Sequence, residues 1–199
     1  MNSDIKIWDD FRHGENYALS YIYYQHVQLL FRYGKKFTND DNLVKDTIQD
    51  LFFNLIRTRE NLGETDNIRF YLLRSFRRIL FKNIRKHSSA IQQLYDKEIV
   101  AEIVYSAEQD FIEKEQQTHR SEIIKKALEQ ISPKQREILF YRFTCEFDYD
   151  QICDLMSLNY DSARKQVFRA IKSLKSVLSN VDIIFFLFTT SSSNNFLEK

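Results

Sequence analysis

The amino-acid sequence predicts an all-α protein made of two small helical domains joined by a linker. Glycine and proline are scarce, with three Gly and one Pro in 199 residues, so the chain lacks the positive-φ residues that tight β-turns require. Apolar residues recur at helical spacing in several stretches. Charge also divides the chain into a basic first part, an acidic middle and a basic second part, which favours two domains and a linker.

The predicted boundaries follow this division. We expect a first domain at residues 1–88, an acidic linker at 89–119, a second domain at 120–180 and a tail at 181–199 whose role the sequence does not reveal. The apolar run 183–188 in the tail is too short to cross a membrane. We expect it to fold onto the second domain, with masking of a DNA-binding face as the alternative.

The first domain contains a helix from Asp41 to Arg57 with two distinct faces. Its apolar face is predicted to enter the core and consists of Val44, Thr47, Ile48, Leu51 and Leu55. The other face ends with Arg57. Its four preceding residues, here named the Phe53 face, are Asp46, Gln49, Asp50 and Phe53. An aromatic ring among polar residues is either covered by another part of the domain or anchors a protein partner, because burying it contributes about 1.5–3 kcal/mol.

The next helix, from Phe70 to Lys86, concentrates positive charge. Residues 67–87 include seven Arg or Lys and no acid. Phe70, Leu73, Phe76, Leu80, Phe81 and Ile84 form its predicted core side. The opposite side, here named the cationic stripe, consists of Tyr71, Arg74, Arg78, Lys82 and Arg85. Charges of one sign repel each other unless an anion offsets them, so we expect nucleic acid here, with an unpaired base on the tyrosine.

The second domain is predicted to contain a helix-turn-helix. Ser132-Pro133-Lys134-Gln135 is typical of a capped helix start, and this helix should continue to Phe143. A second cap at 148–151 precedes a short helix, a break at 157–159 and a last helix to about Val177. The outward side of the last helix ends with Lys175. Its DNA-binding residues, here named the recognition face, are Asp161, Arg164, Lys165, Phe168, Arg169 and Lys172. A short helix followed by a longer basic one fits the major groove of DNA.

Together these stretches resemble a bacterial RNA polymerase sigma factor of the extracytoplasmic-function group. Asn42 to Phe52 resembles the polymerase-binding helix of sigma region 2, and Ile68 to Lys86 resembles the adjoining helix that melts and reads the −10 element. Ala127 to Leu139, with the helix pair 149–175, resembles region 4, which reads the −35 element. Ser157 stands where this turn often has glycine.

The resemblance implies a cytoplasmic initiation factor with core RNA polymerase and promoter DNA as partners. The Phe53 face would contact polymerase, the cationic stripe would hold the −10 strand, and the recognition face would read the −35 element. It also implies an anti-sigma factor, commonly anchored in the membrane. Neither the residues nor the resemblance indicates catalysis, a metal, a cofactor or a small-molecule substrate.

Two alternatives remain open at this point. The first is a stand-alone helix-turn-helix regulator that binds duplex DNA, which leaves the cationic stripe without a role. The second is a sigma-like decoy that binds polymerase or an inhibitor without reading a promoter. The family commonly has asparagine and aspartate where this chain has Arg78 and Lys82, so the second alternative stays open.

Overall fold

A computed structural model describes residues 3–89, 123–124 and 126–178 of the chain. The predicted tail and, apart from residue 89, the predicted linker lie outside these residues. The chain divides into two compact units, residues 1–98 and 99–199. Within the described residues every regular element is helical, which confirms the all-α prediction.

The described part of the first unit, residues 3–89, contains four packed helices. They are α1 (Ser3–Arg12), α2 (Asn16–Gly34), α3 (Asp41–Thr58) and α4 (Ile68–Ser89), with a short 3₁₀ turn at Arg59–Asn61. Helix α3 begins where Asp40 accepts hydrogen bonds from the backbone N–H groups of Asn42 and Leu43. Helix α2 contacts all three other helices, so the core lies between them.

The apolar faces predicted for α3 and α4 supply most of this core. All five predicted core residues of α3 are buried, and so are Leu73, Phe76 and Leu80 of α4. Phe70, Phe81 and Ile84 are only half-buried, because the α4 core side turns toward Ile68 and Leu72, which are fully buried. The central residues of both predicted faces are therefore confirmed.

The second unit has helical residues at 123–124 and 126–129, then α5 (Pro133–Leu139), α6 (Tyr149–Met156) and α7 (Tyr160–Lys175). Both predicted caps are present as reciprocal capping boxes, one between Ser132 and Gln135 and one between Asp148 and Gln151. Each box satisfies two backbone donors that a helix start leaves free. Helix α7 packs against both α5 and α6.

The α-helix predicted to reach Phe143 instead ends at Leu139 and continues as a π-helical turn at Phe140–Thr144. The backbone N–H of Cys145 donates to the Phe140 carbonyl, five residues back, at 3.0 Å. This wider turn leaves Tyr141, Cys145 and Phe147 all buried. Helical spacing alone does not reveal such a change, because it depends on packing at the end of the helix.

Ser157, at the end of α6, adopts the left-handed backbone conformation with φ 53° and ψ 47°. The turn therefore has the geometry of a glycine turn although it lacks glycine. A side chain in this conformation destabilises the folded state by about 1–2 kcal/mol, and glycine removes that strain. Glycine also raises the entropy of the unfolded chain, which cancels part of the gain. We therefore expect Ser157→Gly to stabilise the second unit by a net value of roughly 0.5–1 kcal/mol. Thermal unfolding followed by circular dichroism measures the change. Ser157→Ala should not stabilise, and a lowered midpoint for Ser157→Gly contradicts the prediction.

Candidate nucleic-acid interfaces

The recognition face lies entirely at the surface. All six of its residues are exposed, and Phe168 leaves 68% of its surface open. The opposite side of α7 anchors the helix through Ala163, Val167, Ala170 and Leu174, all buried. The cationic side chains of α7 are therefore directed away from the core, as a helix entering a DNA groove requires.

The turn before α7 is held in place by several specific contacts. The side chain of Asn159 accepts a hydrogen bond from the Ser162 N–H at 2.8 Å, which caps α7. The backbone N–H of Leu158 donates to the Cys153 carbonyl at 3.0 Å. The rings of Tyr149 and Tyr160 meet edge to face at 5.4 Å. These contacts hold α6 and α7 together, and the turn between them sets the angle at which α7 is presented.

The cationic stripe follows the outer side of α4. Arg74, Arg78, Lys82 and Arg85 are exposed. Tyr71 is only half-buried, because its ring packs against Trp8 of α1 with centroids 4.7 Å apart and planes at 55°. The structure therefore places the four cations along one surface and Tyr71 at its N-terminal end, partly covered.

Helix α1 was not identified from the sequence as part of any site. Trp8 is fully buried, and its indole Nε1–H donates to the Gly63 carbonyl at 2.8 Å. The spacing of Trp8 and Phe11, both buried, was the available signal for an amphipathic helix. Its contact with Tyr71 was not predictable, because 63 residues separate the two rings in the chain.

The Phe53 face is also exposed along its whole length. Asp46, Gln49 and Asp50 are exposed, and Phe53 leaves 66% of its surface open. Of the two alternatives that the sequence left open, coverage of Phe53 by the described part of the domain is therefore excluded. The side-chain N–H of Asn83 on α4 donates to Thr47 at 3.2 Å and to Asp50 at 3.4 Å, which connects this face to α4.

Comparison with known protein families shows what these surfaces belong to. Residues 22–90 match the model of sigma-70 region 2, and residues 121–174 match the model of sigma-70 region 4. The two matches together cover more than half of the chain. This chain belongs to the sigma-70 family. Sigma factors are not enzymes; they act in transcription initiation together with core RNA polymerase and promoter DNA. The resemblance to a sigma factor with regions 2 and 4 is confirmed.

Two solved structures show the same fold as this sigma factor. One is CnrH in complex with the cytosolic domain of CnrY, with 12% identity, a TM-score of 0.55, and coverage of 87% of this chain and 95% of that one. The other is the sigma factor RpoE in complex with the anti-sigma factor NepR from Bartonella quintana, with 18% identity, a TM-score of 0.54, and coverage of 84% and 96%. No curated protein sequence matches the chain.

Beside the Phe53 face, the sigma factor has a shallow groove between α2 and α3 that sequence analysis missed. The groove has a volume of about 260 Å³ and is lined by Leu19, Ser20, Tyr23, Tyr24, Phe52 and Ile56. Tyr24 is 75% exposed, and Ile56 is 43% exposed. None of the lining residues is charged, so the apolar surface around Phe53 is wider than the sequence indicated.

His26 on α2 is the titratable group of region 2 with the largest shift. Burial and the nearby positive charge of Arg69 lower the pKa of His26 to about 4. The unfolded chain, with an ordinary histidine pKa near 6.5, then binds a proton that the folded chain rejects. Above about pH 6.5 the neutral His26 therefore does not lower the free energy of unfolding. As the pH falls from 6.5 toward 4, protonation of His26 in the unfolded chain progressively lowers that free energy.

We expect this loss to be on the order of 3 kcal/mol between pH 7 and pH 4. Urea unfolding of the wild type and of His26→Gln at several pH values measures it. The informative quantity is the difference in pH dependence between the two proteins, because other groups titrate equally in both. If the free energy of unfolding depends on pH in the same way in both proteins, the lowered pKa of His26 is contradicted.

Among the described residues, no three His, Cys, Asp or Glu side chains are grouped so that they could hold a metal ion. Neither cysteine forms a disulfide bond; Cys145 is buried and Cys153 is partly exposed. In the same part of the chain, no helix is long and apolar enough to cross a membrane.

Proposed function

We propose that this chain is a sigma factor of the extracytoplasmic-function group that gives polymerase its choice of promoter and catalyses nothing itself. In this proposal residues 1–88 bind core polymerase and the −10 element, and residues 120–180 bind the −35 element. The acidic linker 89–119 connects them. The observation that carries the proposal is that the α7 cations and the α4 cations are exposed on two separate helical units.

The recognition face has the composition that base reading in a major groove requires. Arg164 and Lys165 lie in the first two turns of α7, the part of a recognition helix that reaches base edges. Arginine and lysine pair with guanine, and an exposed ring such as Phe168 can contact a thymine methyl group. Lys172 lies further along α7, and in this proposal it contacts backbone phosphate, which positions the helix without reading sequence.

The cationic stripe has the composition that binds a separated strand. Four exposed cations follow α4 and would neutralise successive phosphates, while Tyr71 offers an aromatic surface for a base. In this proposal the non-template strand of the −10 element lies along α4. Its binding should depend strongly on salt and weakly on base identity outside the position that contacts Tyr71.

Replacing Arg164 by alanine should weaken binding at the −35 element by roughly 1–3 kcal/mol, because a base contact is lost. The loss should be confined to matched promoters, since a scrambled −35 sequence offers no contact to lose. Holoenzyme binding to the two duplexes, measured by fluorescence anisotropy, tests this. Equal losses on matched and scrambled sequences would show that Arg164 touches only phosphate.

Lys82→Ala, on the other helical unit, is the variant to compare with Arg164→Ala, because it removes a phosphate contact rather than a base contact. It should weaken binding to every sequence alike and reduce the slope of log affinity against log salt by roughly 0.7–0.9, the value for one phosphate contact. The same anisotropy assay, repeated over a range of salt concentrations, separates the two kinds of contact. An unchanged salt slope for Lys82→Ala removes the phosphate role.

Partners and location follow from this assignment. RpoE and CnrH, which share the fold, were each solved in complex with a protein partner, an anti-sigma factor in the case of RpoE. We infer that an anti-sigma factor, of the membrane-anchored kind common in this group, holds this chain inactive as well. Because bacterial transcription takes place in the cytoplasm, the chain acts there.

Reconstitution with core polymerase tests the function as a whole. Purified chain is added to core enzyme, and RNA chains started on fragments of the source genome are mapped. We expect starts at a defined set of promoters that core enzyme alone does not use. Polymerase binding without any starts would identify a decoy, and DNA binding without polymerase binding would identify a stand-alone regulator.

A further inference from the structure

The N-terminal end of α4 is held by α1, a helix that lies outside the matched part of region 2. The Asp4 carboxylate accepts a hydrogen bond from the Ile68 backbone N–H at 3.0 Å, at the first residue of α4. Trp8 contacts Tyr71 one turn later. The region 2 match begins only at residue 22, so these contacts are additional to it.

Trp8 is itself fixed from several sides. It is fully buried, its Nε1–H donates to the Gly63 carbonyl at 2.8 Å, and its ring lies 5.5 Å from that of Phe11. The hydrogen bond sets the direction of the indole ring, and the packing sets its position. A ring held in this way offers Tyr71 a stationary surface rather than a mobile neighbour.

We propose that Trp8 is a positioning residue for Tyr71, so that α1 sets where the tyrosine ring meets the unpaired −10 strand. This inference rests on the proposed role of Tyr71 in strand binding. A free tyrosine ring loses rotamer freedom when a base stacks on it, whereas a ring held against Trp8 has lost that freedom already on folding. Ordering a side chain on binding weakens affinity by roughly 2- to 10-fold, which is the effect expected when Trp8 is removed.

The half-buried state of Tyr71 fits this arrangement. Trp8 covers part of the ring, and the remainder stays accessible at the end of the cationic stripe. The Tyr71 backbone N–H donates to the Asn67 carbonyl at 3.1 Å, and Asn67 also caps the turn by accepting from the Phe70 N–H at 2.9 Å. Backbone and ring are thus both fixed before any strand arrives.

The test uses holoenzyme and a fluorescein-labelled single-stranded oligonucleotide with the −10 sequence of a mapped start site. We compare Trp8→Leu, Tyr71→Ala, the double variant, and Phe11→Leu as a control. Phe11 is buried on the same helix beside Trp8, so its replacement reproduces a general weakening of α1. Trp8→Phe, which keeps an aromatic ring but loses the bond to Gly63, serves if Trp8→Leu does not fold.

We expect Trp8→Leu to weaken oligonucleotide binding roughly 2- to 10-fold and to have no further effect once Tyr71 is alanine. Phe11→Leu removes one packing contact of Trp8 but leaves its hydrogen bond to Gly63, so it should cause a smaller loss of oligonucleotide binding than Trp8→Leu. All variants should bind core polymerase normally. Additive losses in the double variant, or an equal loss for Phe11→Leu, would overturn the inference. If Tyr71→Ala alone has no effect, the strand role of Tyr71 is wrong and this inference fails with it, while the roles of the four cations stand.

Discussion

Phe53→Ala should reduce the affinity for core polymerase by 2 kcal/mol or more, about 30-fold, while the folding stability of the chain stays unchanged. Phe53 leaves 66% of its surface open, so its removal creates no cavity and should alter stability by less than about 0.5 kcal/mol. Its neighbours Asp46, Gln49 and Asp50 form a polar rim around it. An apolar ring within such a rim is where interfaces concentrate their binding energy.

The chain contains a closely matched control for this experiment. Phe168 of the recognition face is 68% exposed, so Phe168→Ala removes the same group at nearly the same exposure from the other unit. We expect Phe168→Ala to keep polymerase affinity and to weaken −35 binding. Titration of each labelled variant with core polymerase measures its affinity for polymerase. Equal polymerase affinities for the two variants would remove Phe53 from the polymerase contact.

The groove beside Phe53 refines this expectation. Tyr23, Tyr24 and Ile56 extend the exposed apolar surface from α3 toward α2. If polymerase covers this surface as well, Tyr24→Ala should cause a smaller loss than Phe53→Ala, because energetic contributions decline from the centre of an interface to its edge. The same titration measures this loss.

Gly34→Ala should destabilise region 2 by roughly 3 kcal/mol, a large effect for the addition of one methyl group. A Cβ atom at this position would lie 2.6 Å from Val44 Cγ1, 3.1 Å from its Cγ2 and 3.2 Å from Phe76 Cζ. Both neighbours are fully buried, so neither can move aside freely. The backbone of Gly34 is helical, so the requirement for glycine is steric rather than conformational.

Two further variants test that explanation by urea unfolding. In a Val44→Ala background the added methyl group has space, so Gly34→Ala should cost at least about 1 kcal/mol less there. Gly63→Ala is the control, since no atom lies within 4 Å of its added Cβ, and it should be nearly neutral. The same cost for Gly34→Ala in both backgrounds would exclude the clash with Val44 as the cause.

The candidate sites show how much of this sigma factor was predictable. The recognition face and the Phe53 face were identified residue by residue, and the structure exposes every member of both. This succeeded because helical periodicity separates core from surface whenever a helix packs on one side only. The capping boxes at Ser132 and Asp148 were predictable for a related reason, since each depends on residues three positions apart.

The features that the sequence left open or did not reveal share a different cause. Nothing within α3 indicates whether Phe53 is covered, since the answer depends on which helices pack nearby. The π-helical turn at Phe140–Thr144 likewise arises from packing that no local pattern encodes. Even Tyr71, correctly placed on the outer side of α4, proved half-buried because a ring from α1 reaches it.

The amino-acid sequence by itself determined the helices, their capped starts and the sides on which charge is displayed, because each depends on residues within one or two turns of each other. Only the tertiary structure decided that Phe53 is open, that Trp8 covers part of Tyr71 and that Gly34 lies against Val44. Those outcomes depend on side chains brought together from distant parts of the chain, where close packing leaves space for one arrangement and excludes the others.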